Sequence, residues 1–378
     1  MHLVDTTLFY SPTSGGVKRY LTAKHHWLRT HTAWEHTLLV PGEREHLERG
    51  GVSCIAGPRL PGTFNYRLPL DPRRWSALLE RLAPDLIEVG DAFHPAWCGR
   101  RVAERRGIPL AAFYHSNLPQ LLAHRCGALC ARACERYLRE LYARVDVVFA
   151  PSRIVCDYLR GIGIAHARYQ PLGVDTEVFH PQRRTLDVRA RLGLAPDSRV
   201  LVYAGRFAGE KNLPVLLRAL RLLGARYHLL LIGGARAARA GPQVTLLPYR
   251  GDAHELARWL ASADALAHAG TRETFGLVVL EAMACGRPVV AARAGAIPEL
   301  VDATAGMLAE PLSAASLADA IEALYDRDLE AVGAAARARV LSHFTWAHAF
   351  QAQFAAYGAL LSSPRLTRRV AGPAMEMG

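Results

Sequence analysis

The chain has 378 residues, 51% of them hydrophobic and 21% charged, with a formal net charge of +12. That length suits two domains of average size, and the composition excludes a disordered or fibrous chain. No apolar run is long enough to cross a bilayer, and Asp5 stands where a secretory signal needs basic residues, so the expected compartment is the cytoplasm.

The basic charge does not by itself point to nucleic acid. Residues 1–180 and 181–378 each carry 23 Lys+Arg against 17 Asp+Glu, an even excess with no basic tail. A nucleic-acid reader needs a charge stripe or a stacking platform, so none is expected as a partner. The seven cysteines fit no disulfide framework. Cys126, Cys130 and Cys134 recur at helical spacing, which predicts a small-residue helix face more readily than a metal site.

In chain order, strands are expected near 2–9, 36–41, 53–56, 85–89, 109–115 and 147–151, with helices near 17–29, 96–106, 119–143 and 152–160. The chain then turns at Pro171-Leu172-Gly173-Val174-Asp175, and Pro181 to Thr185 reads as a linker. A second cycle follows, with strands near 199–204, 228–233, 243–248, 263–268, 288–292 and 306–309. Its helices lie near 213–224, 253–261, 275–285, 313–325 and 329–342. Such alternation predicts an α/β fold of two Rossmann-like domains with parallel sheets, spanning 1–175 and 183–345. A helix over 346–361 is expected to pack back on the first domain, and residues 362–378 to be disordered. Ligands in open α/β sheets bind beyond the carboxyl ends of the strands, so a cleft shared by two facing sheets is the expected site.

Three segments carry chemistry. Thr13-Ser14-Gly15-Gly16-Val17 follows the first strand and opens a helix, where glycine lets a backbone amide approach a phosphate. Neither a P-loop nor a complete GxGxxG is present, which argues against a simple NTPase or dehydrogenase. Arg206 and Lys211 lie in a loop between a strand and a helix, where a planar fork and a point charge can converge on a diphosphate. Thr271 to Gly286 places Glu273 at a helix mouth predicted near Thr274–Phe275, and Glu281 about two turns in. The amides of Phe275, Gly276 and Leu277 then point toward an anion, beside carboxylates able to accept sugar hydroxyls.

Glu273 and Glu281, with Phe275-Gly276-Leu277 between them, resemble the paired-glutamate signature of retaining family 4 glycosyltransferases of GT-B fold. Ala284-Cys285-Gly286-Arg287-Pro288, Gly295-Ala296-Ile297-Pro298-Glu299, the Arg206/Lys211 loop and Ala150-Pro151-Ser152 continue the similarity, as do Gly15-Gly16-Val17 and Tyr114-His115-Ser116-Asn117-Leu118-Pro119. The resemblance spans about residues 1–360 and implies a hexosyltransferase that needs no metal or other cofactor. It implies that Arg206 and Lys211 neutralise the donor diphosphate, with Gly15, Gly16 and the Thr274-Phe275-Gly276-Leu277 backbone at the phosphates. Glu281 would hold the ribose, while Glu273 and His115 would contact the donor sugar. The expected donor is a nucleotide-diphosphate sugar, GDP-mannose or a UDP-hexose.

The segment around His115 is similar to a lipid-directed subset, the α-mannosyltransferases and sulfoquinovosyl-lipid synthases. A glycan or lipid-linked acceptor is therefore expected. Helix 119–143 carries Leu121, Leu122, Leu129, Leu138 and Leu141 with Arg125, Arg132, Arg136, Arg139 and Arg144. That pattern suits either packing between helices or peripheral association with an anionic inner membrane face. Lys18, and Ile232-Gly233-Gly234-Ala235, depart from the family pattern. Asp326-Arg327-Asp328 lies between helices and reads as solvated surface, not a metal motif. A same-fold nucleotide-sugar epimerase and a basic non-catalytic binding protein are the rival readings.

Overall fold

The computed structural model describes residues 1–10, 15–61, 66–234, 238–239, 241–248 and 251–362. Thr13, Ser14, Ala235 and the tail from residue 363 onward lie outside the described residues. The chain forms two compact units, Met1–Pro171 with Ala349 onward, and Leu172–His348.

In the first unit the elements run β1 (His2–Thr6), α1 (Gly16–His31), β2 (Glu35–Gly42), β3 (Val52–Ala56), α2 (Pro72–Leu82), β4 (Leu86–Val89) and α3 (His94–Arg106). They continue with β5 (Leu110–Phe113), α4 (Leu118–Tyr142), β6 (Val147–Ala150), α5 (Arg153–Gly161) and β7 (Ala167–Tyr169). The sheet is parallel in the order β3-β2-β1-β4-β5-β6-β7, with Val4 of β1 in register with Thr37 and Ile87 on its two sides. The order reverses between β1 and β4, which makes their carboxyl ends a switch point. The central strands are buried end to end, as the continuous apolar runs of a covered parallel sheet require.

The α2 helix and the short β7 were not anticipated. The signal for α2 was present: Asp71 accepts from the amides of Arg73 and Arg74, Pro72 starts the helix, and Trp75, Leu78, Leu79 and Leu82 are buried. Helix α4 corrects a second expectation. It kinks at Gly127, whose φ of 83° and ψ of 176° no helix accommodates. After the kink Cys134, Leu138 and Leu141 are buried while Cys130 is exposed and Leu129 is 80% exposed; Cys126, before it, is exposed. The cysteines do not share one packed stripe.

In the second unit β8 (Arg199–Ala204), β9 (Tyr227–Gly234), β11 (Val244–Pro248), β12 (Ala265–His268), β13 (Val289–Ala292) and β14 (Gly306–Ala309) are parallel, and β10 (Ala238–Arg239) is a short antiparallel edge. The sheet order is β10-β11-β9-β8-β12-β13-β14. Its helices are α6 (Val188–Leu192), α7 (Leu213–Leu223), α8 (Ala253–Ser262), α9 (Leu277–Ala284), α10 (Ile297–Leu300), α11 (Ala314–Tyr325) and α12 (Leu329–His343). The stretch read as a linker packs on this unit: Pro181–Arg183 forms a 3-10 turn and Arg184 pairs with Glu330 of α12 at 2.6 Å, while before it the Val174 amide donates to Phe344 O at 2.9 Å and Phe179 is buried. Asp328 caps α12 by accepting from the amides of Glu330 and Ala331, which gives the Asp326-Arg327-Asp328 motif a structural use.

The last helix, α13 (Trp346–Leu361), joins the first unit from Ala349 onward. Phe354 lies 4.3 Å from the Trp34 ring and 5.7 Å from Trp27, and Gln170 donates to Ala349 O at 2.7 Å.

Candidate functional site

In the second unit β8 and β12 are neighbours at the point where the strand order reverses, so the loops leaving their carboxyl ends lie together. A 3-10 turn over Gly209–Lys211 and the left-handed Asn212, at φ 50°, fold the first loop back. Asn212 then donates from Nδ2 to Ala269 O and to Thr271 Oγ1, both at 3.1 Å, and the Thr271 amide donates to Glu210 O at 3.3 Å. These bonds weld the two loops.

Across that weld Lys211 Nζ donates to Glu273 Oε1, and His268 Nε2 lies 2.9 Å from the same oxygen. Burial alone would raise the Glu273 carboxyl, but the Lys211 cation and the His268 contact outweigh it and hold the group well below the ordinary carboxylate range. The site therefore presents a fixed anion between a cation and an imidazole. Behind them His268 is fully buried under the Tyr203 ring, whose hydroxyl donates to Arg206 O at 3.0 Å. The Arg206 side chain is 67% exposed, with Glu210 at 3.7 Å. It is far more exposed than the Lys211 side chain, which is 19% exposed.

Glycines set the loop backbones. A Cβ at Gly295, where φ is 55°, would come within 2.6 Å of Glu273 O, and the next amide, of Ala296, donates to that oxygen at 3.0 Å. The Gly-Ala-Ile-Pro-Glu pattern thus holds the Glu273 backbone. A Cβ at Gly233, where φ is 142°, would lie 1.9 Å from Gly205 O, so the end of β9 must be glycine to approach the residue that follows β8.

The predicted helix start is corrected. Gly276, left-handed at φ 105°, ends the Thr274-Phe275 loop, and α9 begins at Leu277. Phe275 is a core residue, edge-on to Phe344 at 6.3 Å. The amides of Val279 and Leu280 both donate to Gly276 O, so those of Leu277 and Val278 precede the first helical acceptor and leave the helix mouth positive. Glu281 lies in the second turn on the buried side of α9.

The first unit holds the remaining sequence-predicted residues. Gly15 caps α1, is exposed, and a Cβ there would meet nothing within 4 Å among the described residues; Gly16 is exposed beside it. His115 follows β5 and lies on Phe113, ring to ring at 4.3 Å and 11°, with Tyr20 tilted against it at 5.1 Å. Burial, aided by the Lys24 cation, pushes the imidazole down to about 3, so it is neutral at working pH. Asp91 accepts from Thr7 Oγ1 at 2.8 Å and from the amides of Leu8 and Phe93 at 2.6 and 2.9 Å, which ties the loops after β1 and β4 together.

The structure thus joins Lys211 to Glu273 and adds three residues that the sequence reading missed: His268, Asn212 and Thr271. His268 could have been noticed as the last residue of a strand whose following loop carries the glutamate. Among the described residues no group of three His, Cys, Asp or Glu side chains is placed to hold a metal ion.

Residues 14–178 match the family described as Glycosyltransferase Family 4, and residues 198–327 match Glycosyl transferases group 1. A GDP-mannose-dependent alpha-(1-6)-phosphatidylinositol dimannoside mannosyltransferase of Mycobacterium tuberculosis is 33% identical, over 97% of this chain and 98% of that protein. A sulfoquinovosyl transferase of Arabidopsis thaliana is 29% identical over 76% of this chain and 60% of its own length. Among solved structures, a sucrose-phosphate synthase from Thermosynechococcus elongatus superposes with a TM-score of 0.79 at 22% identity, covering 96% of this chain and all of that one.

Proposed function

We propose a donor and an acceptor for this chain, which belongs to glycosyltransferase family 4 and has the GT-B fold of two Rossmann-like units. It is a hexosyltransferase that uses a nucleotide sugar. Our reading is that it moves mannose from GDP-mannose to a mannosylated phosphatidylinositol or a similar lipid-linked glycan, with retention of configuration and without a metal.

The Lys211–Glu273–His268 arrangement beyond β8 and β12 carries this reading. Lys211 and Arg206 would take the donor diphosphate, and the amides at the α9 start would add positive charge as the leaving nucleotide becomes more negative. That is the work a divalent cation does in metal-dependent transferases. Glu273, held ionised, would accept hydroxyls of the donor sugar, and Glu281 those of the ribose. His115 would contact the donor sugar as a neutral imidazole, and the open backbone at Gly15 and Gly16 would admit phosphate. Identity to a GDP-mannose-dependent relative over almost its whole length supports the base and sugar.

A lipid-linked acceptor is in keeping with α4, where Leu121 and Leu129 are exposed and no helix among the described residues is apolar enough to span a membrane. We assign this segment to peripheral contact with an anionic membrane face.

Nucleotide release from GDP-mannose, GDP-glucose, UDP-glucose and UDP-galactose, with mannosylated phosphatidylinositol present, tests the proposal. GDP release from GDP-mannose, unchanged by a chelator, with an α-linked product, is expected. Release from UDP-sugars alone would overturn the donor, and loss on chelation would overturn metal independence.

A further inference from the structure

Behind His115 lies a cluster of ionisable and polar side chains that the proposed chemistry does not use. Lys24 of α1 is fully buried between two carboxylates, with Nζ 2.9 Å from Asp5 Oδ2 on β1 and 2.9 Å from Glu88 Oε1 on β4. It also donates to the Tyr357 hydroxyl on α13 at 2.8 Å, and His36 of β2 lies 2.7 Å from Asp5 Oδ2. Glu88 gathers further donors. The Tyr20 hydroxyl reaches Oε1 at 2.9 Å, Gln353 Nε2 reaches Oε2 at 3.0 Å, and the Tyr357 hydroxyl donates to Oε2. Gln353 also donates to the Tyr20 hydroxyl at 2.6 Å. Every one of these groups is buried, and all belong to the first unit.

Tyr20 is the member that leaves the cluster on the other side. Its ring lies 4.8 Å from Phe113 and 5.1 Å from His115 at 60°, and Phe113 stacks on the imidazole at 4.3 Å, so the three rings contact one another. A ring has few torsions, and a hydroxyl fixed by both Glu88 and Gln353 removes the freedom that remains. We propose that Tyr20 is a positioning residue for His115, and that α13 sets it through Gln353, so the end of the chain orients the imidazole. The inference rests on the proposed contact of His115 with the donor sugar. A network used only to anchor α13 needs Tyr357 and Gln353 on Glu88 and Lys24; it does not need the Tyr20 ring against an imidazole. The same Lys24 cation also disfavours a charged His115, after burial.

The test compares Tyr20→Leu, Tyr20→Phe and Gln353→Leu in the full chain, with kcat and KM for GDP-mannose and the ring-nitrogen resonances of His115 in histidine-labelled protein. Displacement of a sugar-contacting group by a fraction of an ångström lowers kcat roughly tenfold in Tyr20→Leu with KM within about twofold, and moves the His115 resonances. Tyr20→Phe keeps the ring but loses the hydroxyl that Glu88 and Gln353 hold, so it falls between Tyr20→Leu and the wild type and matches Gln353→Leu in the His115 resonances. A Tyr20→Leu variant with wild-type kcat and unmoved resonances overturns the proposal, even with a lowered thermal midpoint. If Tyr20→Leu does not fold, Gln353→Leu decides on the resonances alone, and unmoved signals overturn it. If His115→Asn turns over like the wild type, the donor contact fails as a reading, while the resonances in Tyr20→Leu still decide whether Tyr20 positions the ring.

Discussion

Lys211, in the loop after β8, is ion-paired with Glu273, in the loop after β12, at the switch point of the second sheet. The pair is largely buried, with 19% and 13% of the two side chains exposed, so it is screened little by salt.

That pair sets an acid-side stability limit. The folded carboxyl of Glu273 titrates below the unfolded value of about 4.3. Its stabilisation is complete above that value and fades as the pH falls below it. Lys211→Met leaves the carboxylate with His268 alone and lowers stability at neutral pH by about 1–3 kcal/mol. Thermal midpoints of wild type and variant, measured from neutral to acid pH, should converge as Glu273 protonates. A constant gap would remove the electrostatic account.

His115 should leave no trace in the rate profile near its ordinary value. Its pKa is lowered to about 3, so kcat/KM stays flat between about pH 5 and about pH 8 as far as this group is concerned. Sign matters here: a depressed histidine costs nothing above about 6.5 and destabilises the fold as the pH drops toward its folded value. His115→Asn should soften acid unfolding in that window. An inflection near 6.5 that vanishes in His115→Asn would contradict a neutral ring.

Gly295→Ala tests whether the Glu273 backbone must be held. The new Cβ would press on Glu273 O at a left-handed φ. A loss of about 1–3 kcal/mol and a roughly tenfold fall in kcat/KM follow from strain and a displaced carboxylate. Wild-type turnover at wild-type stability would show that the loop tolerates movement.

Leu129→Glu addresses the membrane contact. Leu129 is 80% exposed, so the change should be neutral for folding, within about 0.5 kcal/mol. Flotation with anionic vesicles should weaken while nucleotide release onto a soluble acceptor fragment stays the same. Unaltered flotation would assign Leu129 no part in membrane binding.

Much of the fold was legible because parallel strands read as apolar runs and helices as amphipathic ones; β8, β12 and β13 fall within a residue or two of their expected places. The exceptions have physical causes. The Gly127 kink depends on a backbone conformation that a single glycine permits but does not announce, so α4 reads as one unbroken helix. Gly276 was visible as a motif residue, yet its left-handed geometry, which delays α9 to Leu277, was not. The Lys24 cluster joins α1, β1, β4 and α13, residues far apart in sequence, and no local pattern records such a meeting. One hint existed: Lys24, one of three lysines, sits on the side of α1 that carries Tyr20 and Leu21. The chemistry of the second-unit loops was legible as residue types; the His268 contact that completes it needed the strand end in three dimensions.

A double-mutant cycle on kcat/KM with GDP-mannose measures whether Lys211 and Glu273 act together on the donor. Lys211→Ala and Glu273→Gln should each cost roughly 10²–10³-fold in folded protein. Because the two groups act as one unit, the double variant should lose little more than the worse single one. A folded Glu273→Gln protein that releases GDP at the wild-type rate would contradict the account.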